Sequence, residues 1–254
     1  MSVEALVRRD RALAGSGLAG LALLAWLYLV WMERMSMLDV TAAMAMPGDR
    51  DAGRFLLTFL MWAVMMVAMM VPAASPMILT FATINRRRAA AGTPAVPTAV
   101  FLAGYLVIWS AFSLAAAALQ GALQAAALLA PATLTVTPLV GGALLIAAGL
   151  YQLTPLKYAC LARCQSPLAF ILGEWREGAR GAFVMGLRHG AFCVGCCWAL
   201  MALLFVAGVM NLLWVAAIAA FVLVEKLVPR ARAVSWSAGA VFLGWGGWML
   251  LRAL

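Results

Sequence analysis

Charge is scarce in this chain. Of 254 residues only 11% are charged, nine are acidic, and there is one histidine. So few carboxylates argue against a calcium or magnesium protein, because those ions need oxygen ligands. A lone histidine leaves nothing for a Ser/His/Asp arrangement if it serves elsewhere. No glycine-rich phosphate cradle is present, so ATP-driven pumping by this chain alone is not expected. These shortages point to a carrier or binding protein rather than an enzyme.

What replaces charge is apolar surface. The chain is 67% hydrophobic with a mean hydropathy of +1.02, where a soluble domain is about half apolar. The expected fold class is all-α: one polytopic transmembrane helix bundle occupying 1–254. The apolar runs suggest about seven spans, at roughly 12–32, 55–80, 98–122, 138–158, 182–207, 212–228 and 234–252. The first run reads as an anchor, since its apolar region is too long for a cleaved signal and no A-x-A site follows. The net charge of +9 does not indicate nucleic acid, because the basic residues fall between the runs.

Charge orients the bundle. With a cytoplasmic N-terminus, the basic residues of "VRRDR", "NRRR", "LKYACLAR", "WREGAR" and "VEKLVPRAR" lie inside. Only Arg34, Arg50, Arg54 and Arg252 lie outside, as the positive-inside rule requires. Arg188 is left within a span.

Sulfur is the other abundance, with 16 methionines and five cysteines. The outer segment "ERMSMLDVTAAMAMPGDRD" carries Met35/Met37 and Met44/Met46 with Asp39, Asp49 and Asp51. In "MWAVMMVAMMVPAASPM", Met61, Met65 and Met69 share one helical face and Met66 and Met70 form a second pair. Methionine fills cores flexibly, which is the reading for the scattered Met32, Met201, Met210 and Met249. Pro72 and Pro76 are expected to kink or end the second span, with neighbours covering the freed carbonyls. Gly141, Gly142 and Gly149 are expected to allow close helix packing.

The densest chemistry is "RHGAFCVGCCWALM", Arg188 to Met201. At 100° per residue, with His189 at zero, Cys193 lies near +40°, Cys196 near −20° and Cys197 near +80°. All four occupy one side of a helix, but His189 and Cys196 are separated by about 10 Å along its axis. One ion cannot bind all four on a straight helix, so further ligands must come from another span. Counting depth from the assumed ends puts Met61 level with Cys196 and Cys197, Met65 with Cys193, and Met69 with His189. Thioether and thiolate together select soft ions, so Cu(I) is preferred, with Zn(II) as the second choice. Arg188 is expected to offset the negative charge of a Cu(I) dithiolate.

The stretches "MWAVMMVAMMVPAASPM", "YQLTPLKYACLARCQSP", "WREGARGAFVMGLRHGAFCVGCCWALM" and "VEKLVP" resemble a bacterial family of predicted metal-binding integral membrane proteins of unknown function. The resemblance covers roughly residues 55–230, with an HG-x2-C-x-GCCW core. It implies that Cys160, Cys164, Arg188, His189, Cys193, Cys196, Cys197 and Glu225 form a characteristic set.

Two function classes follow. The first is a copper-handling protein of the bacterial inner membrane, a transporter or a carrier delivering copper to a cuproenzyme. Outer methionines would collect the ion and the Met ladder and fifth-span thiols would relay it. Cys160 and Cys164 would exchange it inside. Its partners would be the ion, the lipid bilayer and a periplasmic copper protein or oxidase-assembly protein. The second class is a thiol–disulfide oxidoreductase using Cys193 and Cys196, a formal C-x-x-C with His189 and Arg188 nearby. Mid-helix burial would slow its exchange. A non-catalytic partner subunit, with Glu225 paired to Arg188, is a third reading.

Overall fold

Among the described residues the chain forms ten helices, and the breaks between them follow from local sequence. The structure, a computed structural model, describes residues 3–35, 51–130 and 133–253. In order these are α1 (Val3–Met35), α2 (Asp51–Ala90), α3 (Thr98–Ala125), α4 (Pro138–Gln152) and α5 (Pro155–Gln165). Then come α6 (Pro167–Glu174), α7 (Gly178–Ala202), α8 (Leu204–Ala207), α9 (Leu212–Leu227) and α10 (Ala231–Ala253). Among the described residues the sole β feature is an isolated antiparallel bridge between Leu129 and Val136. Met37, Asp39, Met44, Met46 and Asp49 of the outer segment lie outside the described residues.

Five stretches are long and apolar enough to cross a membrane: α1, α2, α3, the α7–α8 stretch and α10. The expected fourth span is broken, with α4 and α5 bent by 65°. Pro155 cannot continue a helix hydrogen-bond ladder. Thr154 starts a new helix instead, its Oγ1 accepting from the Lys157 N–H. Counting the bent pair as one gives six. The expected sixth span, α9, has 16 residues. That is about 24 Å, short of a bilayer core of about 30 Å. Among the described residues five or six stretches thus qualify, and the expected seven is not confirmed.

Two glycine seams set the packing. A Cβ on Gly104 would sit 2.2 Å from the Phe183 carbonyl oxygen, and one on Gly186 2.0 Å from that of Phe101. Backbones of α3 and α7 therefore touch. Gly142 and Gly149 of α4 face the carbonyls of Gly246 and Gly239 on α10, at 3.1 and 2.9 Å from the missing Cβ atoms. The packing role read from Gly142 and Gly149 is what the structure shows.

Pro72 and Pro76 do not end α2, which runs through both for 40 residues. Proline at 72 removes the N–H that would satisfy the Ala68 carbonyl. The Trp26 indole on α1 supplies it instead, Nε1 donating to Ala68 O at 3.1 Å. Replacing Trp26 with Phe is expected to lower unfolding stability of the purified protein by about 1–3 kcal/mol. In a Pro72→Ala background the restored N–H should cut that loss to under ~1 kcal/mol. Equal losses in the two backgrounds would contradict this role for the indole.

Candidate metal centre

The helical projection of α7 is reproduced in three dimensions. His189, Cys193, Cys196 and Cys197 are all buried, while Arg188 and Trp198 face outward. Four other helices close over the buried side. α5 brings Cys164, whose thiol lies near those of Cys193 and Cys196. α3 brings Tyr105, whose hydroxyl lies 3.2 Å from Cys193 Sγ and donates to the Met70 carbonyl at 3.1 Å. α2 brings Met70, with Sδ 3.9 Å from Cys197 Sγ. α9 brings Lys226, with Nζ 2.9 Å from Cys193 Sγ.

Cys193 is the hub. Its sulfur meets Lys226 and Tyr105, with the other three buried thiols nearby. Cys196 and Cys197 turn back along the helix, both donating to the Cys193 carbonyl at 3.1 and 2.9 Å. Among the described residues no three His, Cys, Asp or Glu side chains already converge on one ion position. The hydrogen bonds explain this: two thiols are tied to backbone, and an ammonium occupies the hub. Rotation about Cα–Cβ would free either thiol without moving the helix.

His189 is the least satisfied group. It is 1% exposed, and neither ring nitrogen has a hydrogen-bond partner among the described residues. Tyr105 stacks on it at 5.4 Å and the Phe170 ring meets it edge-on at 5.6 Å. A buried polar group without a partner costs about 1–3 kcal/mol. An imidazole held this way beside thiols fits a soft-metal ligand.

The methionine register differs from the expected one. Trp62 of α2 packs on Phe205, and Met70 meets Cys197, so α2 and the α7–α8 stretch run antiparallel with those pairs level. Met61 was expected beside Cys196 and Cys197. It lies instead nine residues from Met70, roughly 13 Å along the axis. Met65 and Met69 are displaced by the same offset from their expected partners. All three are buried in the core, but Met70 is the thioether at the thiols.

Arg188 is also corrected. Its guanidinium pairs with Glu174 on the outside of the bundle, and its side chain is 46% exposed. It does not reach Glu225. That carboxylate accepts from Lys157 Nζ at 2.6 Å and from Ser235 Oγ at 2.6 Å, fully buried. The charge facing the thiols is Lys226, the residue next to Glu225. A Glu-Lys pair within an apolar helix was the signal; its place at the inner end of the expected span grouped Lys226 with the cytoplasmic basic residues. Cys160 stays half-buried, against Gly195.

A family model described as "PpoB2: Copper chaperone" matches residues 59–249. No curated protein and no solved structure matches the chain.

The two charge assignments differ in cost. Glu225→Gln leaves a buried ammonium without its counter-ion and is expected to destabilise by about 3–5 kcal/mol. Arg188→Gln removes a half-exposed pair and is expected to cost at most about 1 kcal/mol. Chemical unfolding of the two variants checks this ranking; the reverse order would contradict it.

Proposed function

This chain belongs to the PpoB2 copper chaperone family, and we propose that it carries Cu(I) on the buried sulfur cluster around Cys193. The observation that carries this reading is the contact of Lys226 Nζ with Cys193 Sγ at 2.9 Å, inside a group of four thiols and one thioether. Cu(I) on two thiolates is an anion of charge −1, and one ammonium beside it makes the site neutral. Zn(II) on the same pair leaves the lysine charge uncompensated in an apolar interior, which is expensive. The donor set is soft, and Met70 adds a neutral thioether that suits copper and contributes little to zinc. Zn(II) would need more of the thiols as thiolates.

The ligands we assign are Cys193 with Cys196 or Cys197, Cys164 from α5, and Met70 from α2. His189 supplies the imidazole, one turn before Cys193. Copper is cargo here, held by ligands that can be exchanged one at a time. Met61, Met65 and Met69 precede Met70 on α2, Met69 immediately, and serve as soft contacts on the approach rather than as ligands of the thiol cluster. The reading places the chain as one domain in a bacterial inner membrane, with the N-terminus inside. The five long apolar helices support such a setting. Copper transport or delivery to a cuproenzyme is the role it assigns.

Metal analysis of purified protein, expressed with copper and separately with zinc, tests the reading. Wild type is expected to retain copper and Cys193→Ser to lose it. His189→Ala and Lys226→Met are each expected to weaken Cu(I) binding by about 10–100-fold. Metal-free wild type containing a Cys193–Cys196 disulfide would overturn the copper reading in favour of thiol–disulfide exchange.

A further inference from the structure

Gly195 sits in the middle of α7, where glycine costs about 1 kcal/mol against alanine in a helix. It is flanked by the thiols, between Cys193 and Cys196. A Cβ at this position would stand 2.7 Å from the Cys160 sulfur and 3.5 Å from Cys160 Cβ. The missing side chain therefore lets a thiol of α5 rest directly on the backbone of α7. Tyr151 of α4 fixes that spot from the side, its hydroxyl donating to the Gly195 carbonyl and its ring meeting Trp198 edge-on.

Cys160 differs from the other four cysteines. They are buried, and it is half-buried. It lies against Gly195, the residue before Cys196 in the chain. One helical turn further along α5, Cys164 lies near Cys193 and Cys196. The two cysteines of α5 thus follow the thiol-bearing stretch of α7, one beside the hub and one partly exposed.

We propose that Gly195 opens the exit from the buried cluster, and that Cys160 is the sulfur that takes copper through it to an acceptor docked on the α5 side of the bundle. This rests on the copper reading above and deepens it. Copper held by Cys193 and Cys196 gains a bond to Cys160 as its bond to Cys193 breaks. The Cys160 thiol proton passes to Cys193. Copper stays Cu(I) throughout, and no electron is transferred. The resulting Cys160–Cu–Cys196 arrangement has one ligand at the bundle surface, where an incoming thiol or thioether can repeat the exchange.

Transfer kinetics test this. Purified full-length protein is loaded with Cu(I), and bathocuproine disulfonate in excess is the acceptor, its copper complex read by absorbance. Cys160→Ser is expected to load as much copper as wild type but release it at least ~10-fold more slowly. Gly195→Ala, which pushes the Cys160 sulfur away, should show the same slow release at unchanged loading. Cys160→Ser adds no bulk, so it decides the matter even if the alanine variant misfolds. Normal loading with wild-type release in Cys160→Ser would overturn the exit while leaving the copper reading intact. A wild type that binds no Cu(I) would overturn both.

Discussion

An ammonium inside an apolar helix bundle requires a negative partner, and the site depends on how that requirement is met. Lys226 meets it with the Cys193 sulfur at 2.9 Å. An unpaired buried charge is far more expensive than any single packing contact is favourable. The lysine places a positive charge against the hub sulfur, and thiolate is the form of cysteine that binds metal. In the proposed copper reading the same charge suits a monovalent cargo, since a monovalent ion on two thiolates leaves the interior neutral.

The neighbouring residue shows the same economy with the opposite sign. Glu225 faces away from the thiols and is neutralised by Lys157, with Ser235 completing its hydrogen bonds. α9 thus carries two buried charges back to back, one toward the sulfur cluster and one toward α5. Lys157 lies on the same short helix as Cys160 and Cys164. The ion pair anchors α5 at one end, while Cys164 reaches the hub near the other. The bend at Pro155 is what turns α5 into this position. A straight fourth span would carry its cysteines elsewhere.

Periodicity alone placed the α7 cluster. The side chains of one helix are fixed relative to each other, so His189, Cys193, Cys196 and Cys197 were legible as one buried face. Relations between helices were not. Matching α2 to α7 by depth required exact helix ends, and an error of nine residues moved Met61 to the place that Met70 holds. Arg188 was expected to balance the thiolates because it adjoins His189, yet one position separates the outer face from the inner in a helix. Lys226 was counted with the cytoplasmic basic residues because it stands at the inner end of the expected sixth span. Pro72 and Pro76 did not break α2, because Trp26, distant in sequence, covers the carbonyl that Pro72 leaves free. The fold class was legible from composition. The span count was not, because Pro155 divides one apolar run and α9 is too short to cross.

The most direct measurement is X-ray absorption spectroscopy at the copper edge on the loaded, reduced protein. Monovalent copper with a first shell dominated by sulfur is expected. The same spectrum should persist in Lys226→Met at saturating copper, since the lysine balances charge and is no ligand. A shell of nitrogen and oxygen atoms without sulfur scattering would contradict a Cys193-centred cargo site.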